Sequence, residues 1–169
     1  KEDFSEEAYF DVIRKKTAAL FKASSQSGAV SVGAVQEEVM KAGLLGEMIG
    51  IAFQIKDDIF DYFESTELGK PTGNDMLEGK LTLPALYVLN QTGDDSLKQT
   101  ALKIRSLEAS KEEIAAFVET VKERGGIEYA TRMMYEFRDK ALALVPASAD
   151  SSLKEALTAY IDYVIERNK

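Results

Sequence analysis

Three aspartates close together are the residues of this sequence best suited to chemistry: Asp57, Asp58 and Asp61. Because positions three and four apart lie on the same side of an α-helix, their carboxylates are predicted to share one stripe of a helix. Like charges at this spacing repel each other, and the repulsion grows as water is removed. Mg²⁺ would relieve it, since this ion takes oxygen ligands and is commonly held by one or two carboxylates and substrate phosphates. The aspartates are therefore candidate metal ligands.

The alternative for these aspartates is a solvated acidic face, which is the usual state of an isolated pair of helical carboxylates. Apolar neighbours favour a mostly packed helix instead: Ile51, Ala52, Phe53, Ile55, Ile59, Phe60 and Phe63. The residues alone leave both interpretations open. The stretch 44–63 is apolar enough to suggest a membrane span, but it carries charged residues, which are costly and rare at the centre of a span. It is predicted to be a core helix of a soluble bundle.

Lysines that could bind phosphate lie on both sides of the aspartates. Lys16, next to Thr17, is in a predicted helix, and Lys70 and Lys80 lie in a stretch rich in glycine. Lysine is a good point-charge partner for phosphate oxygens, and glycine lets the backbone approach a ligand closely. The stretch does not match the Walker A pattern, and each feature alone is more typical of a solvated loop or a snorkelling lysine. Together with aspartates that bind a divalent metal, however, such lysines are typical of a pyrophosphate site.

Two glycines, Gly46 and Gly50, lie in the same predicted helix as the aspartates. Glycine inside a helix costs about 1 kcal/mol relative to alanine, so a compensating reason is expected. One reason is close packing against another helix, and the other is room for an apolar ligand. The sequence does not separate the two, and packing is the favoured interpretation.

The composition excludes several kinds of chemistry. The 169 residues include no histidine and no cysteine, so a Ser-His-Asp triad, a thiolate nucleophile and an ordinary zinc, haem or iron–sulfur site are all excluded. The formal net charge of -8 argues against nucleic-acid binding, which depends on lysine and arginine at phosphates. The lack of disulfides fits a reducing compartment, and residues 1–7 show no signal-peptide pattern, so a cytoplasmic location is predicted.

The elements that must position these residues are predicted to be helices. Apolar residues recur at intervals of three and four without strict alternation, which is typical of an all-α protein. The length suits a single domain over residues 1–169. Ser5 is a predicted N-cap, Ser110 and Glu113 form a predicted capping box, and turn formers predict a loop over residues 67–75. The predicted helices span about residues 5–28, 32–65, 83–89, 95–107, 111–124, 127–144 and 152–167.

Four motifs, in the same order and at similar spacing, resemble the C-terminal half of the trans-isoprenyl diphosphate synthases, or polyprenyl synthetases. They are Lys16-Thr17-Ala18, Phe53-Gln54-x-x-Asp57-Asp58-x-x-Asp61, Gly69-Lys70-x-x-Gly73-x-Asp75 and Glu78-Gly79-Lys80-x-Thr82-Leu83-Pro84. The similarity covers essentially the whole chain, including a last segment over residues 160–167. It implies the all-α isoprenoid synthase bundle and a Mg²⁺-dependent condensation of an allylic prenyl diphosphate with isopentenyl diphosphate. It also implies a homodimer.

The resemblance further implies a role for each matching residue. Asp57, Asp58 and Asp61 would form the family's second aspartate-rich motif and bind Mg²⁺, with Asp57 as the direct ligand. The other matches would act on substrate: Lys16 and Lys70 at the diphosphate oxygens, Thr17 and Gln54 beside the reacting end of the allylic chain, and Lys80 and Arg167 in supporting roles.

The length of the chain departs from the family pattern. Members are roughly twice as long, the size of one large helical domain. Their N-terminal half carries a first aspartate-rich motif and most of the isopentenyl diphosphate pocket, and this sequence has neither. The chain is therefore predicted to be the C-terminal part of such an enzyme, inactive alone, and its product length is not encoded here.

Two other interpretations are open. One is a non-catalytic helical subunit that binds a catalytic partner through exposed apolar surface. The other is a class I terpene cyclase, whose usual second motif alternates Asn or Asp, Ser or Thr, and Glu. The pattern at residues 57–61 does not match that motif.

Overall fold

The computed structural model describes residues 4–63 and 72–166, and the regular elements in these ranges are all helical. The all-α prediction is therefore confirmed. The elements are α1 (Glu6–Ile13), a π-helical turn (Arg14–Ala18), α2 (Ala19–Ser31), α3 (Gln36–Phe60), α4 (Asn74–Leu77), α5 (Leu83–Gln91), α6 (Asp95–Arg105), α7 (Lys111–Glu123), α8 (Gly126–Ala143) and α9 (Ser151–Glu166).

The packing divides the described residues into two units. The first unit comprises residues 4–9, 57–63 and 72–131, and the second comprises residues 10–56 and 132–166. The boundary between them falls within α1, α3 and α8. Each unit contains fully buried apolar side chains, such as Leu83 and Phe117 in the first and Ile51 and Ile161 in the second.

The predicted helix caps are present. The Ser5 hydroxyl accepts the Ala8 N–H at 3.2 Å. Ser110 and Glu113 form the complete capping box, with bonds of 3.1 and 2.8 Å in the two directions. Each such cap satisfies backbone N–H groups that have no partner inside the helix and contributes about 1 kcal/mol. These local signals place helix starts correctly.

Several predicted boundaries are wrong, and backbone conformation explains one of them. The first predicted helix ends at residue 31 instead of 28, and the second ends at residue 60 instead of 65. The helix predicted from residue 32 begins at residue 36, because Gly33 adopts a φ of +74° that an α-helix does not accommodate. The loop predicted over residues 67–75 is interrupted by α4, which begins at Asn74 directly after Gly73, another residue with positive φ. Residues 67–71 of that loop lie outside the described residues.

A π-helical turn interrupts the first predicted helix. The Ala19 N–H bonds to the carbonyl of Arg14, five residues earlier, which is the hydrogen-bonding pattern of a π turn. Such single turns occur mostly inside α-helices and frequently at functional sites. This one carries Lys16 and Thr17. The apolar periodicity of the sequence gave no sign of it.

The core of the first unit is formed largely by α5, α6 and α7. α5 is buried at Leu83, Leu86 and Leu89, and α7 is buried at Phe117 and Val121. Burying a side chain of this size stabilises the fold by about 1.5–3 kcal/mol relative to leaving it exposed. The start of α8 joins this core closely, since a Cβ on its first residue would lie 2.7 Å from the Pro84 carbonyl oxygen.

In the second unit, α3 packs directly against the π turn and α2. A Cβ on Gly50 would lie 2.6 Å from the Cα of Ala18, and a Cβ on Gly46 would lie 2.5 Å from the Phe21 carbonyl oxygen. Real Cβ atoms do not approach backbone this closely. The Phe21 and Phe53 rings pack nearby, with centroids 5.3 Å apart. The two glycines therefore allow close helix packing, which confirms the favoured interpretation.

Within the two described ranges, no helix combines the length and the apolar character needed to cross a membrane.

We expect Gly50→Ala to destabilise the chain by about 1–3 kcal/mol, because the new methyl group meets backbone that cannot move away easily. Gly28→Ala is the matched control. It lies in α2 with open space around the position, so the better helix propensity of alanine should stabilise the chain by about 0.5–1 kcal/mol. Urea denaturation measures both changes. Equal effects of the two substitutions would contradict the close contact between α2 and α3.

Candidate functional site

The three aspartates lie at the C-terminal end of α3. Asp57 and Asp58 are in its last turn, and Asp61 lies one residue beyond it. That turn contains no basic residue. The C-terminal end of a helix carries partial negative charge, so carboxylates there are unfavourable by about 0.3–1 kcal/mol. Their retention at this place needs compensating contacts or a bound cation.

Asp58 is buried and bonded to a tyrosine from α1. Its side chain is 4% exposed, and the Tyr9 hydroxyl donates to Asp58 Oδ2 at 2.5 Å. Burial raises the pKa of the Tyr9 hydroxyl, and the Asp58 charge raises it further. The hydroxyl therefore keeps its proton and acts as a donor. Tyr9 could not be predicted from the sequence, since it lies 49 residues before Asp58 and belongs to no recognised motif.

Asp61 binds the N-terminal end of α4. Its two carboxylate oxygens accept the backbone N–H groups of Asn74 at 3.1 Å and Asp75 at 2.9 Å. In addition, the Gly73 N–H donates to the Asp61 carbonyl at 2.8 Å. Gly73 is needed at this point, because its φ is +77° and a Cβ there would lie 2.9 Å from Ile114 of α7. Asp61 thus performs a capping function that the sequence spacing did not predict.

Asp57 is half-buried on the last turn of α3. Among residues 4–63 and 72–166, no three acidic side chains are grouped so that they could enclose a metal ion. The donors are nevertheless of the right kind, because carboxylate oxygens suit Mg²⁺ and this ion needs only one or two of them. The arrangement therefore fits a cation held by one or two aspartates and completed by phosphate oxygens and water. It does not fit a cage of three carboxylates.

Thr17 and Gln54 form a second pair, within the second unit. The Thr17 hydroxyl donates to Gln54 Oε1 at 2.7 Å, and both side chains are half-buried. Thr17 is held in the π turn, next to Ala18, which packs on Gly50 of α3. The close helix contact thus brings together two residues to which the resemblance assigned neighbouring roles.

The structure shows few contacts for the candidate phosphate-binding lysines and arginine. Lys16 is exposed, and its side chain forms no hydrogen bond or ion pair with another described residue. Lys80 is exposed and pairs with Glu78, and this hydrogen bond raises the pKa of Lys80. Lys70 and Arg167 lie outside the described residues. The roles of all four stay predictions.

The family model described as polyprenyl synthetase matches residues 1–121 of this chain. This chain belongs to the polyprenyl synthetase family. The membership that the four motifs predicted is confirmed. The matched range contains every candidate site residue except Arg167.

Curated and solved polyprenyl synthetases agree with this assignment. Heptaprenyl diphosphate synthase component 2 of Geobacillus stearothermophilus is 37% identical over 157 residues, which are 90% of this chain and 48% of that protein. Geranylgeranyl pyrophosphate synthase from Bacteroides thetaiotaomicron has a TM-score of 0.93 and 57% identity, covering 99% of this chain and 55% of that one. Polyprenyl synthase from Caulobacter crescentus CB15, solved with calcium and isoprenyl diphosphate, has a TM-score of 0.85 and 31% identity, covering 99% and 52%.

The chain spans about half the length of the curated relatives that it matches. Family membership and the all-α fold follow from the match itself.

We expect Asp61→Ala to release the N-terminus of α4, because two backbone N–H groups lose their acceptor. Amide hydrogen exchange followed by NMR should become at least about tenfold faster at Asn74 and Asp75, as expected for a loss of about 1.4 kcal/mol or more of local stability. Asp94→Ala is the reciprocal control, since Asp94 caps α6 by accepting the Leu97 N–H at 3.1 Å. It should accelerate exchange at Leu97 and Ser96, whose N–H groups Asp94 accepts, and leave Asn74 and Asp75 unchanged. Unchanged exchange at Asn74 and Asp75 in the first variant would contradict the cap.

Proposed function

We propose that this chain is part of a Mg²⁺-dependent trans-polyprenyl diphosphate synthase. The reaction is the condensation of an allylic prenyl diphosphate with isopentenyl diphosphate. The observation that carries the proposal is the family match over residues 1–121, which includes the aspartates, the Thr17–Gln54 pair and three of the candidate cationic residues. The printed names of the relatives support it, since they are synthases of prenyl diphosphates of several lengths.

The aspartates take the metal in this proposal. Asp57 is the direct ligand, while Asp58 and Asp61, already held by Tyr9 and by the start of α4, support the site. A divalent cation bound there supplies positive charge to the diphosphate as its bond to the allylic carbon breaks. The Caulobacter relative was solved with calcium and isoprenyl diphosphate, which supports a divalent cation and a diphosphate ligand. Mg²⁺ is proposed because it commonly pairs carboxylates with substrate phosphates.

The cationic residues hold the leaving diphosphate. Lys16 and Lys70 bind its oxygens, and Lys80 and Arg167 support them. Charge on these oxygens grows as the carbon–oxygen bond breaks, so fixed ammonium groups stabilise the transition state more than the bound substrate. The exposed position of Lys16 leaves its ammonium group accessible to such a ligand.

Thr17 and Gln54 are proposed to lie beside the reacting end of the allylic chain. Loss of diphosphate leaves an allylic carbocation, which the double bond of isopentenyl diphosphate attacks. A proton is then lost, and the released diphosphate is the proposed acceptor. The oxygen dipoles of Thr17 and Gln54, fixed by their mutual hydrogen bond, would stabilise the cation without reacting with it.

The shorter length of the chain bears on which part of the reaction it performs. It covers about half of its curated relatives, and the sequence contains a single aspartate-rich motif of the DDxxD type. We propose that it does not complete the condensation alone. One relative is named a component 2, which favours a second candidate function, a subunit of a heteromeric synthase. A homodimer and a cytoplasmic location are also proposed; the first rests on the family and the second on the lack of cysteine.

We expect Mg²⁺ with inorganic pyrophosphate to raise the melting temperature of the chain. At about 100 times Kd, binding contributes about 2.7 kcal/mol to stability. Asp57→Asn should lose most of the increase, because the amide is a poor ligand for a hard cation. Asp95→Asn is the control, since Asp95 is an exposed carboxylate in the same unit. No shift at saturating ligand would count against the aspartates as metal ligands.

We expect the isolated 169-residue chain to form no prenyl product above background from an allylic diphosphate, isopentenyl diphosphate and Mg²⁺. The physical reason is the missing second set of metal-binding carboxylates, without which only part of the diphosphate charge is neutralised. A radiolabelled isopentenyl diphosphate assay measures this. Adding a separate chain that carries a first aspartate-rich motif should restore product formation if the protein is a subunit. Robust turnover by the homogeneous chain would overturn the half-enzyme interpretation.

A further inference from the structure

The hydrogen bond between Tyr9 and Asp58 joins two buried side chains that are 49 residues apart in the sequence. Both residues are buried, with 9% and 4% of their surfaces exposed, and the donor to acceptor distance is 2.5 Å. A carboxylate taken out of water is costly unless hydrogen bonds satisfy it. Its orientation is therefore determined by the donors that reach it, and Tyr9 is one of them.

The start of α1 is firmly placed in the first unit, immediately before Tyr9. Phe4 is 7% exposed, and its carbonyl accepts a hydrogen bond from Asn90 Nδ2 at 3.0 Å. The guanidinium of Arg105 lies over its ring at 4.7 Å from the centroid, a cation–π contact. Residues of α5 and α6 thus hold the segment that leads into α1. Because Tyr9 lies little more than one helical turn further on, its hydroxyl is placed by this contact.

A second tyrosine bond involves the same helix but a different carboxylate. The Tyr129 hydroxyl donates to Glu6 Oε2 at 2.7 Å. Tyr129 also stacks on Tyr87, with centroids 4.1 Å apart. Two tyrosine hydroxyls of the first unit therefore bond to carboxylates. Tyr129 bonds to a carboxylate of α1, whereas Tyr9 bonds to an aspartate of α3. The pair offers a comparison that separates a general effect on folding from a specific effect on the aspartates.

We propose that Tyr9 is a positioning residue for the metal and diphosphate site, acting through Asp58. The inference rests on the proposed function, since it takes these aspartates to serve a divalent cation. The Tyr9 hydroxyl occupies one direction of the Asp58 carboxylate and prevents its rotation, which leaves the remaining lone pairs facing a constant direction. Asp57, the preceding residue on the final turn of α3, is the proposed direct ligand, and Asp58 adds an oriented negative charge beside it. Groups that orient ligand carboxylates typically change metal affinity by about 10–100-fold when they are removed.

The test measures Mn²⁺ binding in the presence of inorganic pyrophosphate, using the electron paramagnetic resonance signal of free Mn²⁺. Tyr9→Phe retains the ring and removes the donor, and it should weaken Mn²⁺ binding about tenfold or more. Tyr129→Phe is the matched control, because it also loses one tyrosine bond to a carboxylate in the same unit. It should bind Mn²⁺ within about twofold of the unmodified chain, while thermal melts measure the loss of stability in each variant.

A second variant tests whether Tyr9 acts through Asp58. Asp58→Asn removes the charge that Tyr9 is proposed to orient and keeps an acceptor for the Tyr9 hydroxyl, so this single variant is expected to fold. Adding Tyr9→Phe to Asp58→Asn should then weaken Mn²⁺ binding no further, since residues that act through one another are not additive. Additive losses in the double variant would overturn the proposal.

The remaining outcomes separate this inference from the proposed function. If the unmodified chain binds Mn²⁺ and Tyr9→Phe binds it equally well, the positioning role is overturned while the proposed metal site stands. The positioning role is also overturned if Tyr129→Phe weakens binding as much as Tyr9→Phe. If the unmodified chain binds no Mn²⁺ with pyrophosphate, the metal site itself is overturned, and the role of Tyr9 with it.

Discussion

The local fold of the first unit depends on how negatively charged side chains are accommodated at the end of α3. Asp57, Asp58 and Asp61 lie where the helix itself is partially negative, and no basic residue shares the last turn. At two of the three aspartates, the hydrogen-bond donors include groups that carry no charge. Tyr9 bonds to Asp58, and the first N–H groups of α4 bond to Asp61.

Neutral donors have a consequence for chemistry. A lysine or arginine paired with these carboxylates would neutralise them and compete with a metal ion. The Tyr9 hydroxyl and two peptide N–H groups orient Asp58 and Asp61 without adding positive charge, while the Asp58 charge also contributes to the raised pKa of Lys80. This is the behaviour expected of groups that support a metal site rather than replace the metal. The same hydrogen bonds also hold α1 and α4 to the end of α3. The contacts that orient the aspartates are therefore also contacts that stabilise the local fold.

The second unit shows a different constraint, the distance between helix backbones. Gly46 and Gly50 remove side-chain volume from α3, and the π turn and α2 approach to within contact of its backbone. This close approach places the Thr17 hydroxyl 2.7 Å from Gln54 Oε1, to which it donates a hydrogen bond. Each glycine costs helix propensity, and close packing compensates for it. Thr17 and Lys16 lie in the π turn at the same place, and Thr17 is half-buried while Lys16 is exposed.

Much of this protein was determined by its sequence alone. The spacing of apolar residues predicted an all-α fold, the Ser5 and Ser110 caps placed helix starts, and the four motifs identified the family, because all of these are signals between residues close in the chain. The tertiary structure decided the rest. The partnership of Tyr9 with Asp58, the capping of α4 by Asp61 and the π turn at residues 14–18 could not be read from local patterns. The first joins residues 49 positions apart, the second depends on the left-handed backbone of Gly73, and the third ends at Ala18, which packs on Gly50 of α3. Local free energies determine where helices form, whereas the orientation of the aspartates depends on contacts that exist only after the helices have packed.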